Sequence, residues 1–293
     1  MAGTDRTYPL YDSRFEHDAC GVGFVAATDA VDRHRVLRLA LLGLANLGHR
    51  GAFAADGESS DGAGVALPLE FPLLRRIAPG ARGRPAVAML FLPAKAVSNA
   101  AARRIVEAAV AAEGLEVGQW RDVPVDVGQL GSEARASVPA IAQVAVPRVG
   151  GALYFERRLL LARRRMEMAA ASAGLTDFAV ASCSSRTIVY KGLVAGGSLA
   201  DFYLDLASAD IPLSYACFHQ RYATNTTPRW ALAQPFRLIA HTARSTPSAP
   251  TAPNSTVGWL ASAGSSVSGP ANWAKPLRPT ARTRSRWTRR LTC

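Results

Sequence analysis

The stretch EHDACGVGFVA, Glu16 to Ala26, sets a charged segment directly against a run that reads as extended chain. Cys20 stands at the junction, flanked by Ala19 and Gly21, whose small size permits close backbone approach. From Gly21 onward the glycines lead into a strand. HRVLRLALLGLANLGHRGA follows (34–52), with apolar residues at 36, 37, 39, 41, 42, 44 and 47. That is a helical stripe, and it stops at Gly48.

Working outward, SSDGAGVALPL (59–69) is a turn feeding a strand. PAVAMLFLP (85–93) is a nearly continuous apolar strand, residues 95–113 form an Ala-rich helix, and AIAQVAVPR (140–148) is another strand. Residues 151–173 form a second long helix, with Arg157, Arg158, Arg163, Arg164 and Arg165 expected on its polar side. Strands are expected again at FAVASCS (178–184), RTIVYKG (186–192), LSYACFHQRYAT (213–224) and FRLIAH (236–241). Helices fall between groups of strands, and the late strands are close enough for antiparallel pairing. This order argues for α+β layers and against a doubly wound parallel sheet.

With 49% hydrophobic residues over 293 positions, the chain can bury a substantial core. It has no apolar run of about 18 residues, so no segment reads as a membrane span. The N-terminus lacks the apolar region of a secretory signal. Cys20, Cys183, Cys217 and Cys293 lie far apart with no Cys-x-x-Cys pair, which suggests neither a disulfide framework nor a metal site. A cytoplasmic location is the expectation.

The formal charge of +12 raises the question of nucleic acid. Of the 34 Lys and Arg residues, eight lie in 242–293, where there is no Asp or Glu. That leaves 26 basic against 22 acidic residues in the body, a nearly ordinary balance. A basic protein binding nucleic acid through Arg278–Arg290 is the competing reading. No aromatic or groove-fitting motif accompanies those arginines, so nucleic acid is not the expected partner.

Three polar constellations interrupt apolar surroundings after Cys20: HRGA (49–52), SDGAG (60–64) and HQRYATNT (219–226). Together with YDSRFEHDACGVGFVA, SSRTIVYKGL, FYLDL and the continuation to AQPFRLIAH, their order and spacing resemble the N-terminal glutaminase domain of glutamate synthase large subunits. These are class II glutamine amidotransferases of the N-terminal-nucleophile hydrolase type. The resemblance covers nearly all of residues 11–241. It implies a four-layer αββα sandwich, incomplete at the C-terminus, with residues 1–19 as a propeptide and 20–241 as a partial amidotransferase domain.

The same resemblance implies a chemistry. Removing the propeptide would free the α-amino group of Cys20, whose ordinary pKa of about 7.7–8.0 suits a general base at neutral pH. The Cys20 thiol would attack the side-chain amide of glutamine. Arg221 would hold the substrate α-carboxylate with its guanidinium fork, and Thr224 and Asn225 would add hydrogen bonds. Arg50 matches a further site arginine, with a loop-pinning salt bridge as the equal alternative. Asp61 is read as fixing a turn, and Ser60 stands where the family usually has Gly. His49 and His219 are read as structural, Cys183 and Cys217 as core. No metal or cofactor is implied in this chain. FMN and an iron–sulfur cluster belong to other domains of the family protein, as do the synthase domain and the small reductase subunit that would be partners.

After His241 the resemblance stops. The family continues Asn-Gly-Glu-Ile-Asn-Thr, whose Asn side chain and Gly N–H form the oxyanion hole; here Thr242–Pro247 reads TARSTP. One permitted codon string for TARSTP, preceded by a single A, translates as Asn-Gly-Glu-Ile-Asn-Thr. Residues 242–293, free of acid and of any period, are therefore expected to be a frameshifted, disordered basic tail.

Overall fold

Among the described residues, alternation along eight strands builds two antiparallel sheets. The protein is seen in a computed structural model that describes residues 21–81, 83–207, 210–221 and 227–236. The propeptide, nearly all of the strand expected at 236–241 and the tail 242–293 lie outside the described residues. The first sheet has the order β1-β8-β2-β7, built from β1 (Gly21–Ala26), β2 (Ala63–Pro68), β7 (Thr187–Gly192) and β8 (Tyr215–Gln220). The second has the order β4-β5-β3-β6, from β3 (Ala86–Leu92), β4 (Trp120–Asp122), β5 (Ala140–Val146) and β6 (Ala179–Ser184).

Two long helices, α3 (Ala96–Ala111) and α5 (Ala152–Ser172), cover the outer face of the second sheet. They meet Ala88, Leu90, Val144 and Val146 there. The opposite face, with Val87, Met89 and Phe91, turns toward the first sheet. This is the expected α+β sandwich. One face of the first sheet is shared: α1 (Val36–Asn46) packs over β1 and β8, while the second sheet lies over β2 and β7. Glycines make the α1 contact possible, since a Cβ at Gly23 or Gly43 would drive into the ring of Phe218. On the other face Val22 and Phe24 are 66% and 76% exposed.

Four short elements complete the fold: α2 (Phe71–Ile77), α4 (Ser132–Ala136), α6 (Leu199–Phe202) and the three-residue β4, none of them expected from the sequence. The late strands also differ from a simple hairpin. β6 and β7 are separated by Ser185 and Arg186 alone, yet they belong to different sheets. The chain turns the corner under a tether from α5, as the Glu156 carboxylate accepts from Ser184 Oγ, Ser185 N and Ser185 Oγ. Across the corner Val189 N donates to Ser182 Oγ at 3.1 Å.

The arginines of α5 do not form one solvated face. Arg158 and Arg165 both pair with Glu113, which is 3% exposed, and Arg163 pairs with Glu167. Between the sheets a second ion pair is buried: Arg121 grips Asp205 at 2.6 and 2.9 Å, and Tyr190 Oη donates to the same carboxylate. Hydrogen bonds to Asp205 hold the Arg121 charge in place, while burial pushes the Tyr190 phenol well above its ordinary range. Satisfied networks of this kind specify one sheet-to-sheet arrangement.

Candidate active site

Residues 219–221 alternate, and the alternation assigns them to opposite faces of the first sheet. Gln220 points toward α1 and is 1% exposed. Its Oε1 accepts from Gly196 N at 3.0 Å, and its Nε2 donates to Ser60 Oγ at 3.2 Å and Gly62 O at 3.4 Å. Gly51 of HRGA lies flat against this carboxamide, where any Cβ would collide. One buried glutamine thus joins the HRGA loop, the SDGAG turn and the β8 terminus. The sequence reading missed it, although its place between His219 and Arg221 in a strand was the available signal.

The SDGAG turn is pinned from several sides. Asp61 N donates to Ala52 O, and Phe53 and Ser60 form an antiparallel bridge. Asp56 anchors the loop to α4 by accepting from Ser59 N, Ser59 Oγ, Ser132 Oγ and Glu133 N. These bonds, led by the Ser59 side chain, hold its carboxyl far below the usual carboxylate range. The reading of Asp61 as a turn residue fits its 6% exposure and its backbone bonds.

Arg221 is 7% exposed. Its N–H donates to Gly62 O at 2.8 Å, and one guanidinium nitrogen donates to Asp61 O at 3.3 Å. Arg50 follows α1 in a short 3-10 turn, and its Nε meets His49 Nε2 at 3.1 Å. The structure therefore brings HRGA, SDGAG and the end of β8 to one end of the first sheet, with Gln220 between them. β1 begins at the same end, since Gly21 pairs with Gln220 and Val22 with His219. Cys20, Thr224 and Asn225 lie outside the described residues.

On the Arg221 face, one row of paired residues runs Val22, His219, Gly64, Lys191. His219 is 8% exposed; burial, and after it the Arg221 charge, push its pKa down to about 4. Among the described residues its buried Nδ1 has no hydrogen-bond partner. Cys183 is core at 3% exposure, whereas Cys217 is only half-buried. Burial raises the Cys217 thiol pKa, so it is a poor thiolate at neutral pH.

Lys191, also missed from sequence, is 2% exposed. Its ammonium donates to Ala231 O at 3.0 Å and Ala233 O at 2.7 Å, and lies 4.2 Å from the Phe236 ring centroid. The segment so held crosses β2 where Gly62 and Gly64 leave room; a Cβ at Gly64 would strike Gln234 O. Burial, then the charges of Arg163 and Arg221, push the Lys191 pKa from 10.5 down to about 7. Between pH 7 and 9 the unfolded chain therefore carries a proton at Lys191 that the folded chain has lost, so stability should rise with pH. Urea unfolding midpoints measured across that window should climb for the native chain, and Lys191→Met should remove most of the climb.

Among the described residues no cluster of His, Cys, Asp and Glu could hold a metal ion, and no helix is long and apolar enough to cross a membrane. Comparison with known proteins agrees with the geometry. A profile described as "Glutamine amidotransferases class-II" matches residues 20–244. The chain is 40% identical over 245 residues to the glutamate synthase [NADPH] large chain of Azospirillum brasilense, covering 80% of this chain and 16% of that protein. It is 41% identical over 238 residues to the ferredoxin-dependent glutamate synthase of Cyanidium caldarium, covering 77% and 15%. Against the large chain from Bacillus subtilis the figures are 36% over 239 residues, 79% and 16%. The chain spans about a sixth of the length of these curated relatives. The matched segment opens on Cys20 and takes in both sheets and every loop gathered at the β1 and β8 termini, and the chain belongs to the class II glutamine amidotransferases.

Proposed function

We propose that this chain is the glutamine-hydrolysing portion of a glutamate synthase, with Cys20 as its N-terminal nucleophile once residues 1–19 are removed. The observation that carries the reading is the β1–β8 register. Gly21, the residue that follows Cys20 in the chain, pairs with Gln220, so β1 begins beside the end of β8 that carries Arg221. The start of the family match at Cys20 supports it as well.

In this scheme the freed α-amino group takes the thiol proton, and the sulfur attacks the side-chain carbonyl carbon of glutamine. The tetrahedral adduct collapses to a γ-glutamyl thioester as the C–N bond breaks, and the α-ammonium returns its proton to the departing ammonia. Water then cleaves the thioester to glutamate and restores the thiol. Arg221 holds the α-carboxylate, Thr224 and Asn225, three and four positions further along the chain, contribute hydrogen bonds, and Arg50 borders the nucleophile. These steps need no cofactor in this segment. The ammonia would pass to a synthase domain carrying FMN and an iron–sulfur cluster, served by a small reductase subunit, in the cytoplasm. We also infer that 242–293 results from loss of one base after the His241 codon; the family match ending at Arg244 is in keeping with this.

The test is chemical. Intact mass of protein purified from cells should show loss of residues 1–19, and 6-diazo-5-oxo-L-norleucine should label Cys20. Labelling centred on Cys183 or Cys217 would overturn the assignment.

A further inference from the structure

We infer that the outer face of α5 is the surface on which the rest of a synthase polypeptide docks, through a patch of that polypeptide that is apolar and bears carboxylates. This rests on the proposed reading of the chain as the glutamine-hydrolysing portion of a glutamate synthase. The starting observation is a helix with two apolar sides. Phe155, Leu159, Ala162, Met166 and Ala170 are buried, and they pack on the second sheet. On the opposite side Leu153, Leu160, Leu161 and Met168 recur at helical spacing, with Leu153 78% and Met168 63% exposed. A surface helix ordinarily turns a polar face to water, and a row of exposed apolar residues marks an interaction site.

Arginines punctuate this row. Arg157 and Arg164 lie on it, each about one helical turn from the leucines. Among the described residues neither has an ion-pair partner, unlike Arg158, Arg163 and Arg165. Arg158, paired with Glu113, also donates from Nε to Tyr154 Oη at 3.1 Å. Tyr154, Arg157, Arg158 and Leu161 line a hollow of about 300 Å³. A hollow of this kind suits an anchoring side chain. Covering Arg157 and Arg164 with an uncharged surface would leave two guanidinium groups desolvated and uncompensated, so whatever docks must bring carboxylates.

The occupant follows from the same residues. A second copy, packed on α5 about a two-fold axis between Leu160 and Leu161, would bring the Arg157 and Arg164 charges of the two copies together. Membrane-surface helices carry Lys, Trp and Phe, and this face has none of them. It has Arg, Met and Tyr, the residues that protein interfaces favour while Lys is depleted. The chain covers 16% of the Azospirillum brasilense large chain, so most of a polypeptide of that kind lies outside the matched part. Joined to this segment, the remainder would stand at a roughly millimolar effective concentration, and a patch of modest area is enough to hold it.

The experiment follows peroxide oxidation of Met168 by peptide mass spectrometry, with Met166, buried on the same helix, as the internal standard for folding. Two proteins are compared: the chain as it stands, and the form in which one base is restored after the His241 codon and translation runs on in that frame. Met168 should oxidise about tenfold more slowly in the restored form, at every dilution. In that form Leu160→Asp, or Arg157→Glu together with Arg164→Glu, should return Met168 to the rate in the chain as it stands. Equal rates in the two native forms overturn the inference, and that comparison stands should a variant not fold. Protection that fades on dilution identifies a second copy, and protection of the short chain by phosphatidylserine vesicles identifies a membrane; either overturns it. Protection that survives the charge reversal overturns the carboxylate-bearing occupant. Labelling of Cys20 by 6-diazo-5-oxo-L-norleucine is read in the same samples, so an exposed Met168 beside a labelled Cys20 leaves the functional reading intact. A restored frame that encodes no synthase sequence overturns that reading and this inference together.

Discussion

Restoring one base after the His241 codon, with the downstream family sequence that follows in that frame, should raise ammonia release from glutamine by about 10²–10³-fold. When the thiolate adds to the amide, the carbonyl oxygen becomes an anion that needs preorganised donors. The family supplies an Asn side chain and a Gly N–H directly after the position that matches His241. Thr242 offers a shorter, β-branched hydroxyl in place of the carboxamide, and Ala243 carries a Cβ where glycine stood. Loss of one such donor costs about 2.7–4 kcal/mol of transition-state stabilisation, which sets the expected factor. The family also uses an acidic residue beyond this point to hold the substrate amino group, and 242–293 contains none. The measurement is ammonia release by the chain as it stands and by the restored form at equal concentration. Equal rates would remove both the frameshift reading and the oxyanion assignment.

Arg221→Lys, made in the restored form, should raise the KM for glutamine about 10- to 100-fold with kcat nearly unchanged. The α-carboxylate lies several bonds from the reacting amide, so the arginine binds ground state and transition state alike, and uniform binding appears in KM. Hydrogen bonds to a charged group contribute about 1.5–3 kcal/mol, which corresponds to that range. Arg221 is nearly enclosed, with one guanidinium nitrogen bonded to Asp61 O at 3.3 Å. A planar fork can hold that carbonyl and still present a second edge to a carboxylate. A lysine ammonium is a single point of charge on a different stem and cannot do both. Initial-rate kinetics over a wide glutamine range decide the matter; an unchanged KM removes Arg221 from the substrate site.

What the sequence made legible follows the length of each periodic segment. The helix stripe at 36–47 and the apolar run at 85–93 appear as α1 and β3 with boundaries shifted by a residue or so, because each has enough turns or alternations to declare its period. Seven residues of α2 and three of β4 do not. The late strands read as close enough for antiparallel pairing, yet β6 and β7 go to different sheets; what sends them there includes Glu156 on α5, some thirty residues earlier in the chain. The site followed the same logic. Chemistry-bearing residues such as Arg50 and Arg221 stand out by type and motif, and the structure gathers their loops. Gln220, Asp56 and Lys191 do not stand out, because each ties its element to a segment far away in sequence, at Gly196 N, Glu133 N and Ala233 O. His219 reads as satisfied since most buried histidines are, and sequence carries no sign that its Nδ1 lacks a partner among the described residues.

The corner at Ser185 and Arg186 has a practical consequence. Surface turns are ordinarily the safest places to insert a tag, split a protein for complementation or open a circular permutant. Here the turn is the shortest covalent link between the two halves of the sandwich, and Glu156 fastens it to a third layer. Extra residues there would let the halves slide past each other and carry Tyr190 away from Gln143 and the Arg121–Asp205 pair. Permissive positions lie instead at the turns closed by Gly114 and Gly174, each at φ near +70° with nothing packed where a side chain would go. Those turns end α3 and α5, which pack on the second sheet, whereas the loop cluster belongs to the first, so a reporter could be carried there without touching the chemistry.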